Sequence, residues 1–76
     1  MELTDFIKNF AAQFDETPMD LFTPKAVYKE FDEWNSLTAL SIISMIDEDY
    51  EKTITGADLR ACSTIEELFS FVASTK

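Results

Sequence analysis

The chain has 76 residues and contains no histidine, one cysteine, one glycine and two prolines. Because histidine is missing, the chain lacks the commonest general base and the commonest ligand of transition metals. The single cysteine, Cys62, excludes an intramolecular disulfide and a cysteine-based metal motif. A self-contained hydrolytic active site is therefore not expected.

Basic residues are also scarce, with 6 lysines and arginines against 15 acids and a net charge of −9. Nucleic acid and anionic membranes repel such a chain, so basic protein surfaces are its favoured partners. No stretch approaches the roughly 20 apolar residues of a membrane span, and the N-terminal MELTDFIKNF lacks the basic region of a secretory signal. We expect a cytoplasmic monomer with a single domain over residues 1–76, without nucleic-acid binding or membrane insertion.

Apolar residues recur with helical spacing in three segments of the chain. The first predicted helix runs from Leu3 to Phe14, and a long loop over residues 15–24 follows it. Pro24 is expected to start a short helical turn that reaches Tyr28. The second predicted helix runs from Ser36 to about Tyr50.

Capping residues mark the starts of the remaining helices. Asn35 can cap the second helix, because its side chain can accept a hydrogen bond from a free amide of the first turn. A short third helix is predicted after Thr55 and Gly56, through Leu59. The last helix begins near STIEEL, where either Ser63 with Glu66 or Thr64 with Glu67 fits a capping box. The predicted fold is all-α: a small bundle of three longer helices and one short helix, with a long first loop.

The second predicted helix has apolar residues on two sides. One arc of about 100° would face the core, and it contains Ala39, Ile42, Ile43, Ile46 and Tyr50. Leu37 and Leu40 lie on nearly the opposite side of the helix. No lysine or arginine occurs from Glu30 to Glu51, and acids precede and follow the two leucines in this segment. An apolar patch ringed by acids fits a docking face for a partner with a basic rim, although acids also keep small proteins soluble.

Ser36, at the start of this helix, has two interpretations. Serine gathers at helix starts because it caps them. A phosphoester on Ser36 would also be well placed, because the free amides and the positive end of the helix dipole favour an anion there. The residues alone leave both interpretations open.

Two longer stretches resemble the acyl carrier protein family. WNSLTALSIISMIDEDY resembles the helix that carries the modified serine in that family, and EKTITGADLRACSTIEELFSFV resembles its loop, short third helix and closing helix. With the first helix and the prolyl loop, the resemblance covers nearly the whole chain. It implies an acyl-carrier-like fold and a protein that is not an enzyme. Such a protein carries an acyl group as a thioester on a 4′-phosphopantetheine arm and presents it to enzymes of fatty acid, polyketide or other specialised biosynthesis.

The resemblance also assigns roles to single residues. Ser36 would be the attachment serine, flanked by Asn35 and Leu37 at the cofactor site. The docking face would comprise Leu37, Leu40, Asp47 and Glu48. The implied partners are a phosphopantetheinyl transferase, ketoacyl synthases and acyltransferase-type enzymes with basic docking patches. The implied acyl pocket is lined by Ile42, Ile43, Ile46, Ile54, Leu59, Ile65 and Leu68, which are also what any core would show.

The chain departs from the family pattern at several positions. Asn35 stands where the family usually has an aspartate that helps the transferase, where it can help hold the catalytic magnesium, so loading would be slower, selective or absent. Thr38 and Ser41 occupy positions that are often acidic, and Ser44 replaces a frequent methionine. Together with Trp34, these changes indicate a specialised stand-alone carrier with partners outside the housekeeping fatty acid synthase.

Three alternatives accompany this prediction. A peptidyl or D-alanyl carrier would differ in the loaded unit and the partner surface. An unmodified helical interaction module would use the same apolar and acidic face, and Asn35 favours it. The stretch DEDYEKTITGAD resembles a calcium-binding EF-hand loop, but it has Lys52 where glycine is needed and Asp58 at the last ligand position, so no metal is predicted.

Overall fold

A computed structural model describes residues 2–74, and in this part of the chain the structure is all-helical and has no strand. The four α-helices are α1 (Leu3–Ala11), α2 (Ser36–Tyr50), α3 (Gly56–Ala61) and α4 (Ile65–Ser74). Single 3-10 turns occur at Met19–Leu21 and Tyr28–Glu30. The predicted all-α bundle of three longer helices and one short helix is confirmed. Met1, Thr75 and Lys76, which the predicted domain includes, lie outside the described residues.

α1 ends earlier than its apolar spacing predicts. The helix stops at Ala11 rather than at Phe14. Beyond it, the N–H of Gln13 donates to the Phe10 carbonyl (3.1 Å) and the N–H of Phe14 to the Ala11 carbonyl (3.0 Å), which are tighter bonds than those of an α-helix. Phe14 is still buried, so the apolar pattern continues through a turn that is no longer α-helical.

Aromatic residues anchor the long loop between α1 and α2. The rings of Phe14, Phe22 and Phe31 contact one another, with centroid distances of 5.0 to 5.7 Å. We call these three residues the loop cluster. The helical turn predicted from Pro24 to Tyr28 is divided in two. A single turn at Pro24 is closed by the N–H of Ala26, which donates to the Thr23 carbonyl (3.0 Å), and the 3-10 turn begins at Tyr28. Ring packing therefore holds a segment that has little regular structure of its own.

Tyr28 ties this loop to α3. Its side chain is fully buried, and its hydroxyl lies 2.6 Å from the Leu59 carbonyl, to which it donates, and 3.1 Å from the Cys62 carbonyl. Both carbonyls belong to the end of α3, where backbone acceptors lose their helical partners. The hydroxyl thus satisfies acceptors that would otherwise be buried without a donor.

The bounds of α2 agree with the prediction. Ile42, Met45 and Ile46 are its buried residues, while Ala39, Ile43 and Tyr50 are half-buried and pack against the core. Met45 was missing from the predicted core arc. Its side chain lies outside that arc, on the Ile42 side, and is nevertheless buried.

The caps of α3 and α4 also follow sequence signals. At α3, Thr55 and Asp58 form a reciprocal capping box. At α4, the Thr64 hydroxyl accepts from the N–H of Glu67 (3.1 Å), which selects the second of the two predicted registers. The buried residues of α4 are Ile65, Leu68 and Val72, and Phe69 is half-buried. None of the helices within residues 2–74 is long and apolar enough to cross a membrane.

Candidate functional site

The first turn of α2 is built by Asn35 and Thr38. Asn35 has an extended backbone, and its side-chain oxygen accepts from the N–H of Thr38 at 3.0 Å. The Thr38 hydroxyl donates to the Glu33 carbonyl at 2.8 Å. These bonds hold residues 33–38 in one geometry, with Ser36 as the first residue of the helix.

Ser36 presents a free hydroxyl at the positive end of a 15-residue helix. Its side chain is exposed and has no hydrogen-bond partner within residues 2–74. The cap is supplied by Asn35, so the hydroxyl is not needed to start the helix. The chain has no histidine, the commonest general base, to activate this hydroxyl.

Leu37 and Leu40 form an exposed apolar face next to this serine. Their side chains are 75% and 58% exposed. Both line a groove of about 410 Å³, which we call the α2 groove. Its other lining residues are Gln13, Ser41, Ser44, Met45, Glu48 and Asp49. The leucines and acids that the sequence assigned to docking thus share one concave surface, with one exception.

The exception is Asp47, which does not line the α2 groove. It is exposed and lies seven residues after Leu40 on the same helix, so it points to the same side without reaching the groove. Gln13 and Asp49 line the groove instead. Gln13 comes from the turn after α1, and its part in the groove has no signal in the local sequence.

Glu33 is a further residue that the sequence did not single out for a structural role. Its carboxylate accepts from the backbone N–H groups of Asp15 (2.9 Å), Glu16 (2.8 Å) and Thr17, and from the Thr17 hydroxyl. The Thr17 hydroxyl and these N–H groups hold the pKa of Glu33 below its ordinary value. Glu33 therefore fixes the start of the long loop against the segment that leads into Ser36.

The residues of the predicted acyl pocket form the core between α2, α3 and α4. Six of them are at most 3% exposed and Ile43 is half-buried. Of the seven, Leu59 also lines a second groove of about 290 Å³, which we call the Ser36 groove. The Ser36 groove is lined by Trp34, Asn35, Ser36, Ala39, Gly56, Leu59 and Arg60. Ser36 is thus part of its wall.

The acidic residues and the cysteine raise two other chemistries, metal binding and thiol catalysis. Within residues 2–74, no group of three or more acidic, cysteine or histidine side chains is placed to hold a metal ion. Cys62 is buried and unpaired, and its burial raises the pKa of its thiol. A buried thiol with a raised pKa is a poor nucleophile.

Comparisons of the chain with protein-family models, with curated proteins and with solved structures find no significant match.

Proposed function

We propose that this protein is an acyl carrier that holds its cargo on a 4′-phosphopantetheine arm attached to Ser36. The observation that carries this proposal is the exposed, unbonded Ser36 hydroxyl at the start of α2, beside the exposed Leu37 and Leu40. A capping serine would use its hydroxyl on the helix amides, but Asn35 already does so. An all-α bundle of three longer helices and one short helix is also the fold that the resemblance implies.

The chain's own residues have distinct parts in this function. Ser36 Oγ would form the phosphodiester bond to the arm, and the first turn of α2 would stabilise its negative charge. The thiol of the attached arm would hold an acyl group as a thioester, which activates the carbonyl for transfer. Leu37 and Leu40 would enter an apolar depression on a partner, while Glu48 and Asp49 would pair with its basic rim.

The acids of this face define the partners that it fits. Glu48 and Asp49 line the α2 groove, and no lysine or arginine does. The proposed partners are a phosphopantetheinyl transferase, ketoacyl synthases and acyltransferase-type enzymes with basic patches. Opposite charges steer such pairs together, so association should slow as salt is added.

The test is the intact mass of the protein before and after incubation with coenzyme A, magnesium and a broad-specificity phosphopantetheinyl transferase. We expect a mass gain of one phosphopantetheine for the natural chain and none for Ser36→Ala. Ser70→Ala is the control, because it removes an exposed serine hydroxyl from α4, outside both grooves, and should leave loading unchanged.

Asn35→Asp measures the effect of the unusual cap on loading. The aspartate keeps a cap acceptor and adds a negative charge that can help hold the transferase magnesium, so we expect faster loading. Loading of Asn35→Asp alone would identify a carrier scaffold disabled at its loading step. If neither the natural chain nor Asn35→Asp gains mass, the carrier proposal is contradicted.

A second candidate is an unmodified helical interaction module. The α2 groove favours it, because two largely exposed leucines and two acids form a docking surface whether or not Ser36 is loaded. Asn35 favours it as well. If no transferase loads the chain, the module becomes the better explanation. Leu40→Ser should then weaken the binding of a basic partner to the unloaded protein, while Leu21→Ser, an exposed leucine elsewhere, should not.

A further inference from the structure

The Ser36 groove begins at the residue that the proposed function loads. Its wall on the α2 side includes Ser36 itself, and its wall on the α3 side includes Gly56, Leu59 and Arg60. A group attached to Ser36 Oγ therefore starts at the mouth of a concave surface. The volume of about 290 Å³ is close to the lower limit for small-molecule sites.

Trp34 gives this groove a firm aromatic wall. Its ring packs edge-on against Tyr28, with a centroid distance of 4.9 Å and an angle of 61°. Tyr28 is fully buried and bonded to the end of α3, and Leu59 is 1% exposed. The aromatic and aliphatic part of the groove is thus held by buried neighbours, which favours a preformed site.

Gly56 has no side chain to cover the α3 wall of the groove. It is the only glycine of the chain, and its φ is not positive, so its backbone does not require glycine. In a helix, glycine is less favourable than alanine. A Cβ at this position would lie 3.4 Å from Nη1 of Arg60. The guanidinium therefore lies close to the bare backbone of the first turn of α3.

Arg60 is the only cation that lines the Ser36 groove. Although the chain has 15 acids, the guanidinium forms no ion pair with any residue between 2 and 74. Asp58, two positions earlier, is held instead by the N–H of Thr55 at 2.9 Å. Lys29 adds positive charge nearby, because its ammonium donates to the Arg60 carbonyl at 2.7 Å. In a strongly acidic protein, a guanidinium without an acidic partner within residues 2–74 thus shares a groove with the loading serine.

We propose that the Ser36 groove binds an oxyanion of the loaded arm, with the Arg60 guanidinium as its ligand. This inference rests on the proposed carrier function. A guanidinium can bind phosphate or carboxylate oxygens through two parallel N–H bonds. The oxyanion is either the phosphodiester formed on Ser36 or a terminal carboxylate on the acyl cargo, and both present the same chemistry to Arg60.

The composition of the chain makes the test direct. The chain has one arginine and one tryptophan, and both line the groove. The Arg60 Nε–H and the Trp34 indole N–H are therefore single, unambiguous signals in a ¹⁵N-correlated NMR spectrum. Four forms of the protein are compared: unloaded, loaded with the free thiol, loaded as a glutaryl thioester, and loaded as the methyl ester of that thioester. Intact mass verifies each form.

The two sources of the oxyanion give different patterns. If the phosphodiester is bound, the Arg60 signal shifts between the unloaded and free-thiol forms. If a cargo carboxylate is bound, it shifts with the glutaryl form and not with its methyl ester. In both cases the Trp34 signal shifts as well. An Arg60 signal that is the same in all four forms would overturn the inference.

Variants separate charge from binding geometry. Arg60→Gln should abolish the Trp34 shift, and Arg60→Lys should restore only part of it, because an ammonium cannot make the paired bonds. Lys8→Gln removes the same charge from α1 and should leave the shift unchanged. Arg60 is exposed, so these variants are expected to fold. A Trp34 shift of full size in Arg60→Gln would also overturn the inference.

The outcome remains readable if Ser36 is never loaded. In that case the intact mass shows no added phosphopantetheine, and the carrier proposal is rejected by that measurement alone. Free 4′-phosphopantetheine is then titrated into the natural chain and into Arg60→Gln. A shift of the Arg60 signal in the natural chain, with a Trp34 shift that is absent in Arg60→Gln, would show that the groove binds an oxyanion independently of loading. Absence of a shift would reject the groove as a site.

Discussion

Glu33 acts on the structure around Ser36 through both its side chain and its backbone. The carboxylate accepts from the start of the long loop, and the carbonyl accepts from Thr38 in the first turn of α2. A charged acceptor strengthens such hydrogen bonds. The residue that precedes the Trp-Asn-Ser segment therefore joins two parts of the chain that are distant in sequence.

Acid should release this connection. The pKa of Glu33 is lowered in the folded protein, so the stabilisation is fully present above the ordinary glutamate pKa of about 4.3 and is lost as the pH falls through the lower folded value. We expect the amide NMR signals of Asp15, Glu16 and Thr17 to shift together with one midpoint below about 4.3.

The control for this titration is in the same molecule. The N–H of Thr38 is bound by the amide oxygen of Asn35, which does not titrate, so it should show no such midpoint. In Glu33→Gln the common midpoint should disappear. If the three loop amides instead titrate separately, or at the ordinary value, the carboxylate does not hold the loop as described.

Tyr28→Phe tests the hydrogen bond between the loop and α3. The substitution keeps the ring but leaves the Leu59 and Cys62 carbonyls without their buried donor, and we expect a loss of about 1–3 kcal/mol in the free energy of unfolding. Tyr50→Phe is the matched control. The Tyr50 hydroxyl accepts from Asn9 at 2.8 Å in a half-buried site, so its loss should cost less. Urea unfolding of both variants measures the two losses. An equal loss in the free energy of unfolding would contradict the proposed role of Tyr28.

The end of α2 contains a strained residue. Glu51 is the only non-glycine residue among residues 2–74 with a positive φ, at 55°. Left-handed backbone costs most residues about 1 kcal/mol relative to glycine, and an acid at a helix C-terminus is unfavourable for the helix dipole. We expect Glu51→Gly to raise the free energy of unfolding by about 0.5–1 kcal/mol, which corresponds to a rise of about 2–8 °C in Tm.

Glu51→Ala separates the two causes of this effect. Alanine removes the negative charge but keeps the Cβ that disfavours a positive φ. A thermal melt should therefore show most of the gain only with glycine. An equal gain in both variants would mean that charge, rather than backbone conformation, limits the end of α2.

The helices that the sequence predicted well are those whose caps are local. Asn35 at α2 and the Thr55–Asp58 pair at α3 act within one turn, so a single stretch of sequence contains the whole signal. The predicted end of α1 at Phe14 was wrong. Phe14 continues the apolar spacing, but its burial depends on ring contacts with Phe22 and Phe31 in the loop that follows the helix. Spacing identifies a residue that packs, but not the backbone that carries it.

The candidate site also has features that local sequence predicts and features that depend on how the helices pack. The exposure of Leu37 and Leu40 follows from their position on the helix opposite Ile42 and Ile46, so it could be predicted. The contribution of Gln13 to the α2 groove could not, because it depends on how α1 packs against α2. The presence of Arg60 and Ser36 in one groove likewise depends on the placement of α3.

The whole molecule carries more negative charge than its internal pairs neutralise. It has a net charge of −9, and the one ion pair between side chains described within residues 2–74 joins Lys25 to Glu66 at 3.0 Å on the surface. The protein measures 31 × 24 × 20 Å. At about 10 mM ionic strength the screening length is about 30 Å, so its acids repel one another across its full width.

Added salt should therefore stabilise the fold. At about 1 M the screening length falls to about 3 Å, and repulsion within the folded chain is largely removed. We expect Tm to rise steadily with sodium chloride over this range. Potassium chloride should give the same curve, because screening does not depend on the identity of the cation. A flat or falling Tm would show that charge repulsion does not limit the stability of this molecule.

The loop cluster of Phe14, Phe22 and Phe31 also has a consequence for the speed of folding. Closing a flexible loop costs conformational entropy, and this cost grows only slowly with loop length. The ring contacts of the loop cluster offset part of this cost from within the loop. The chain therefore does not have to wait for distant partners before its longest segment without an α-helix becomes compact. Helical proteins dominated by such short-range contacts fold in microseconds to milliseconds, and a chain that refolds this quickly exposes its apolar surface only briefly.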